Sequence, residues 1–339
     1  MQKVRVKFVN MWEGFDPISN PLMKIFEKKN EILLVENDPD FIICSSFRNR
    51  KDKIYEYCNY DCVRIFLSLE NFEPDYNLFD YTVTTSYANN LDRSCRLPNY
   101  LVDIFRENYK GIAHSDVNKE ILKTKDRFCN LIFSHDRDDS MRRRVAEELS
   151  NYKKVDAAGT YFNNMDNGQI IKSNQKLEFQ SRYKFSIVLE STDQPGFTTE
   201  KIWDAYKANT IPIYCGDKYI QTELNKKAYI DIRDFDSLVD LRKQIEKIDC
   251  DDSLFLEILS QPLFNDLNYA PNKIHQCEDF FAHIFEQGKI DAYRRPMGPK
   301  VGLVKYYENI LKICNKLDHS HVWKIIEKID VRTNRKMKG

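Results

Sequence analysis

The sequence predicts an α/β chain of two domains built on open parallel sheets, and three observations carry that reading. Strand-length apolar runs alternate with helix-period segments through most of the chain. The length, 339 residues, fits two domains at roughly 100–200 residues each. Residues 183–217 compress a strand, a polar loop, a helix start and a second strand into one βαβ unit.

In chain order, strands are expected at 4–9, 41–44, 63–69 and 81–84, with a short helix at 21–27. A strand at 128–133 and a helix at 140–149 follow, the helix marked by Met141, Val145 and Leu149 at i, i+4, i+8. The domains divide as 1–150 and 151–316, with a tail at 317–339. The second half holds the 183–217 unit, a strand at 228–232, a helix capped by Asp236, and helices at 252–260, 277–286 and 302–316. Residues 321–329 are amphipathic and 332–338 basic. A frayed solvated helix end is the plain reading, and peripheral contact with anionic lipid the functional one.

Within 183–217, Phe185 to Leu189 form the strand, and Glu190 interrupts it where it should end. Pro195 and Gly196 mark a turn. Thr198 or Thr199 serves as N-cap, and Glu200 puts an acid in the first helical turn. Lys201 is the anomaly: a cation there opposes the helix dipole unless an anion sits beside it, and a helix mouth with free N–H groups suits phosphate. The plain reading pairs Lys201 with Glu200.

Composition excludes several classes. Acids and bases balance at 52 each, without the basic surplus of a nucleic-acid binder. Ten glycines and no Gly-x-Gly-x-x-Gly argue against a dinucleotide enzyme. Nine cysteines without Cys-x-x-Cys read as reduced thiols of a cytoplasmic protein, and no run approaches the roughly 20 residues of a membrane span. Asp136-Arg137-Asp138 has an Asp-x-Asp form that can hold Mn²⁺ and a diphosphate, but Asp38-Pro39-Asp40 and Asp249-Cys250-Asp251 share it by chance.

Lys184-Phe185, Glu190, Phe197, Thr199-Glu200-Lys201 and Ile211-Pro212-Ile213-Tyr214 with Gly216 together resemble the signature of the α1,3/4-fucosyltransferase family, in its bacterial form. The segment 70–81, opening Glu70-Asn71-Phe72-Glu73-Pro74, resembles the acceptor-side block of the same family. The resemblance implies a GT-B fold, two facing Rossmann-like domains with a C-terminal helical segment. The N-terminal domain would then bind the acceptor and the C-terminal one GDP-fucose. It implies inverting transfer of L-fucose from GDP-β-L-fucose to the 3-hydroxyl of GlcNAc or Glc in a lactose- or N-acetyllactosamine-type acceptor, giving a Lewis x-like glycan of the lipopolysaccharide kind. The acceptor would be an oligosaccharide or glycolipid met at the inner face of the membrane. No cofactor is required, Mn²⁺ or Mg²⁺ being at most stimulatory.

On that resemblance Glu70 is the general base, at the C-terminal end of its strand, where α/β clefts form. Its plain reading is an acid capping a turn. Glu190 contacts the donor sugar or organises the 191–197 loop. Thr199, Glu200 and Lys201 meet ribose and diphosphate, and Phe197 packs on the donor where relatives carry tyrosine. Some relatives carry an arginine where this chain has Phe162, so Arg142 or Lys184 must neutralise the diphosphate, with Arg137 a weaker choice. Lys201→Ala should then weaken donor binding and leave the thermal midpoint little changed. Another GT-B sugar-nucleotide transferase, and a nucleotide-sugar-binding module without turnover, stay open as alternatives.

Overall fold

A computed structural model describes residues 2–47, 53–113, 117–134, 141–295 and 301–317. Eleven short strands form two parallel sheets among these residues. Chain contacts divide it into two compact units, one of residues 1–84, 88–96 and 275–339, the other of 85–87 and 97–274.

The first unit holds β1 (Gln2–Val9), β2 (Asn30–Leu34), β3 (Phe41–Cys44), β4 (Val63–Ser68), β5 (Tyr81–Thr84) and β6 (Ser94–Arg96), in the order β2-β1-β3-β4-β5-β6. Every β3, β4 and β5 residue is buried, the polar Arg64, Ser68, Thr82 and Thr84 included, as expected of central parallel strands covered on both faces. α1 (Leu22–Glu27) follows β1, and Phe26 meets Phe281 with ring centroids 4.4 Å apart.

The second unit holds β7 (Arg127–Leu131), β8 (Val155–Ala157), β9 (Tyr183–Leu189), β10 (Ile211–Cys215) and the two-residue β11 (Ile230–Asp231), in the order β11-β10-β9-β7-β8. Its helices are α2 (Tyr100–Arg106), α3 (Met141–Ser150), α4 (Lys176–Ser181), α5 (Glu200–Lys207), α6 (Leu238–Cys250) and α7 (Asp252–Leu259). Val145 and Leu149 of α3, Leu241 and Ile245 of α6, and Phe255 of α7 bury one face against Phe185, Ile187, Ile211 and Ile213. α4 and α5 also pack on this sheet, and α5 buries Ile202, Trp203, Ala205 and Tyr206.

Four expectations need correction. The boundary is not at 150: β7 pairs with β9 (Arg127↔Tyr183), so 127–150 belongs to the second unit. Nor does the second unit run to 316. Within α8 (Tyr269–Glu286) the chain returns to the first unit, and α9 (Gly288–Asp291) and α10 (Val301–Leu317) stay there. Buried Arg64 of β4 explains this, since its guanidinium donates to Glu308 of α10 at 2.6 Å while its backbone N–H donates to Asp80. Asn315 of α10 both donates to and accepts from the Tyr55 backbone. The strand expected at 228–232 shrinks to β11 because 3₁₀ turns flank it, held by the side chains of Asn225 and Asp231. Ser237, not Asp236, caps α6 by accepting from the Asp240 N–H. The tail at 318–339 and Asp136-Arg137-Asp138 lie outside the described residues. No described helix is long and apolar enough to cross a membrane.

Candidate functional site

The second sheet changes winding direction between β7 and β9, its order being 2-1-3-4-5 within that unit. Crevices at the carboxyl ends of such a pair are where doubly wound sheets bind ligands. Three parts of the 183–217 unit meet at the end of β9. The Glu190 carboxylate is fully buried and accepts from the Thr199 N–H at 2.8 Å and the Thr199 hydroxyl at 2.9 Å. Lys201 Nζ donates to Glu190 Oε2 at 3.0 Å and to Thr199 Oγ1 at 2.6 Å. Thr199 holds the N-cap place of α5, and its own N–H is satisfied by Glu190 from outside the helix, as a capping-box acid would do from within. The N–H groups of the first turn behind it have no intrahelical partner.

The surrounding shell fixes this cluster. Tyr214 of β10 shares a 3.0 Å hydrogen bond with Thr198 and accepts from the Asp217 N–H. Burial pushes its phenol well above the usual range, so it stays neutral. Arg233 donates to the carbonyls of Gly216 and Asp217 and to Asp231, clamping the turn after β10. Tyr87 donates to Asp217 Oδ2 at 2.9 Å. Two glycines are steric necessities. A Cβ at Gly216 would lie 2.7 Å from Glu190 Cγ. Gly196 has φ +90°, and a Cβ there would lie 2.2 Å from the Thr85 carbonyl oxygen.

Arg142, near the start of α3, donates to the Leu189 carbonyl at 3.0 Å and stacks on Phe133 at 4.1 Å. It therefore stands at the β7–β9 switch, one residue from Glu190. Arg143, which sequence reasoning missed, lies over the Phe162 ring at 5.4 Å. A cation thus covers in space the position where the sequence shows none, a replacement only a three-dimensional neighbour list reveals.

Other predicted residues fall elsewhere. Lys184 sits at the opposite end of β9, five strand steps from Leu189 and so about 17 Å away. It pairs with Asp249 at 3.2 Å and is no part of the site. Asp249 also binds Lys153, and Asp251 caps α7, so that Asp-x-Asp is structural. Phe197 is 3% exposed, which leaves no open ring face for a donor. Glu200 is partly exposed and lies 3.8 Å from Lys176, so Lys201 pairs with Glu190 rather than with Glu200. Glu70, in the first unit, is exposed just beyond β4, and its N–H donates to Ser68 Oγ at 3.4 Å. No cluster of metal-ligating side chains occurs among the described residues.

Two family models match in order. That of the N-terminal domain of α-(1,3)-fucosyltransferase FucT covers residues 6–103, and that of the glycosyltransferase family 10 (fucosyltransferase) C-terminal domain covers 122–260. The chain belongs to the family 10 fucosyltransferases. The α-(1,3)-fucosyltransferase FucT of Helicobacter pylori is 25% identical over 327 residues, 85% of this chain and 67% of that one. The R654 protein of Acanthamoeba polyphaga mimivirus, which carries a provisional fucosyltransferase name, is 31% identical over 60% of this chain but only 34% of its own. The family 10 chain thus spans between a third and about two thirds of these relatives. An α1,3-fucosyltransferase crystal structure superposes with a TM-score of 0.71 at 23% identity, covering 88% of this chain and 93% of the other. A DNA-modifying β-glucosyltransferase superposes at 0.53 and 12% identity, covering 83% of this chain and 98% of the other. These likenesses bear out the GT-B fold class.

Proposed function

We propose that the chain is an inverting α1,3-fucosyltransferase, moving L-fucose from GDP-β-L-fucose to the 3-hydroxyl of GlcNAc or Glc in a β-galactoside-type glycan. The observation that carries this reading is the Glu190–Thr199–Lys201 cluster at the mouth of α5, with Arg142 beside it at the β7–β9 switch.

On this reading the diphosphate takes the helix mouth. Lys201 turns from Glu190 towards phosphate, and the unpaired first-turn N–H groups add donors. Arg142 supplies further positive charge at the strand ends. Glu190 stays buried and holds Thr199 and Lys201 in place, the structural one of its two expected roles. Glu200, partly open to solvent, meets the ribose hydroxyls. Glu70 takes the proton of the acceptor hydroxyl, whose oxygen attacks the anomeric carbon opposite the leaving phosphate. The carbon–phosphate oxygen bond breaks, and the charge developing on GDP meets Lys201 and Arg142. A positioned base contributes about 10²–10⁴-fold, and a single donor to a developing oxyanion about 10²–10³-fold.

Calorimetric titration with GDP-fucose, GDP-mannose and UDP-sugars, followed by NMR of the linkage formed on lactose and N-acetyllactosamine, tests the proposal. GDP-fucose should bind tightest and yield an α1,3 linkage. Preference for a UDP-sugar, or binding without turnover, would replace this reading with one of the two alternatives. Transfer should persist in excess EDTA, and loss restored by Mn²⁺ would return Asp136-Arg137-Asp138 to the mechanism.

A further inference from the structure

We infer that Cys95 and Cys277 are a redox modification site, a dithiol that peroxide converts to an intramolecular disulfide. Their sulfurs lie 3.1 Å apart, Cys95 in β6 and Cys277 in α8, both within the first unit. β6 is pinned through its ladder with β5, where Cys95 aligns with Val83. The two thiols differ in access: Cys95 is partly exposed, whereas Cys277 is 0% exposed. That asymmetry suits a thiol that meets oxidant beside one that resolves the product. Cys44 and Cys129 are fully buried, and exposed Cys250 faces the Tyr152 hydroxyl at 3.4 Å.

Position gives the pair its consequence. Cys95 lies two residues before Leu97, where the chain leaves the first unit, and Cys277 two residues after His275, where it returns. A bond between them closes the whole stretch 97–274 into a covalent loop, and long loops gain most from closure.

The reaction balances with hydrogen peroxide as oxidant. The Cys95 sulfur attacks one peroxide oxygen, the O–O bond breaks, and water leaves, giving a sulfenic acid. The Cys277 sulfur then attacks the Cys95 sulfur, the S–O bond breaks, and the hydroxide departs as a second water with the Cys277 proton. Two thiols lose two electrons and two protons. The sulfurs need to approach by about 1 Å to reach bonding distance.

Treating the full chain with stoichiometric hydrogen peroxide, then digesting without reductant, should yield a Cys95–Cys277 cross-linked peptide by mass spectrometry. Dithiothreitol should remove it. Oxidation should raise the thermal midpoint by several degrees. Cys95→Ser should abolish both effects, and Cys277→Ala should leave Cys95 to proceed to sulfinic acid. Oxidation of Cys250 without the cross-linked peptide would overturn the inference. So would an equal thermal midpoint for oxidised native protein and oxidised Cys95→Ser.

Discussion

Glu70 and Glu190 carry a similar local signature, an acid within two residues of the end of a buried parallel strand, yet the fold treats them oppositely. Glu190 has no exposed side-chain surface and accepts from Thr199 and Lys201. Glu70 is exposed two residues beyond its strand. A carboxylate saturated by protein donors organises its neighbours, whereas one facing solvent can take a proton from a substrate. The difference arises in the segment after each strand. Beyond β9 a nine-residue excursion brings the Thr199 N–H back to Glu190, while beyond β4 the chain runs through an open, Pro-containing stretch.

The sharpest way to break this comparison is to neutralise both acids in turn. Glu70→Gln should lower kcat by about 10²–10⁴-fold, or about 3–5 kcal/mol of barrier, with an unchanged urea midpoint. Retained transfer would remove Glu70 from the chemistry. Glu190→Gln should act on stability first. It sets an amide NH₂ against Lys201 or the Thr199 donors inside a buried cluster, a loss of about 2–3 kcal/mol read from the urea midpoint at constant m. A normal midpoint would show that Glu190 is not the organising acid.

Lys201→Ala separates the roles further. The sequence alone suggests a lysine that binds donor and bears no structural load. The 3.0 Å pair with buried Glu190 revises this, because truncation leaves that carboxylate with Thr199 as its remaining donor. Donor affinity should fall about 10–100-fold and stability by about 1–2 kcal/mol, the ammonium being partly exposed. Weakened binding with full stability would return Lys201 to a donor-only role.

How far the site was legible depends on the same geometry. Glu190, Thr199 and Lys201 lie within twelve consecutive residues, so strand end, turn and helix start fixed their neighbourhood locally. Lys184 lies as near in sequence but belongs to the far end of an extended strand, where each residue advances about 3.3 Å. The strand order that puts 127–150 in the second unit depends on β7 meeting β9 across some fifty residues, which leaves no local mark. The return of α10 rests on Arg64 and Glu308, 244 residues apart. Arg143 over Phe162 was hidden for the same reason, since position along the chain says nothing about which cation covers a ring.

The opposite end of α5 extends the comparison to a buried charge without any counter-charge. Lys125 is 8% exposed and donates to the Ser181 and Ala208 carbonyls, Ala208 being the C-cap of α5. Carbonyl dipoles do not offset the burial, which lowers its ammonium to about 7 from 10.5. Between those values the unfolded chain binds more protons than the folded one, so this group makes stability rise with pH across the window. Below pH 7 its penalty is fully present, and above 10.5 it is gone. Lys125→Met fills the same space without a titrating group. The difference in unfolding free energy, native minus Lys125→Met, should therefore grow from pH 7 to pH 9, by at most about 1.4 kcal/mol per pH unit. A difference that stays flat would mean that Lys125 keeps its proton through those two carbonyls alone, and that α5 tolerates an uncompensated charge at one end while requiring Glu190 at the other.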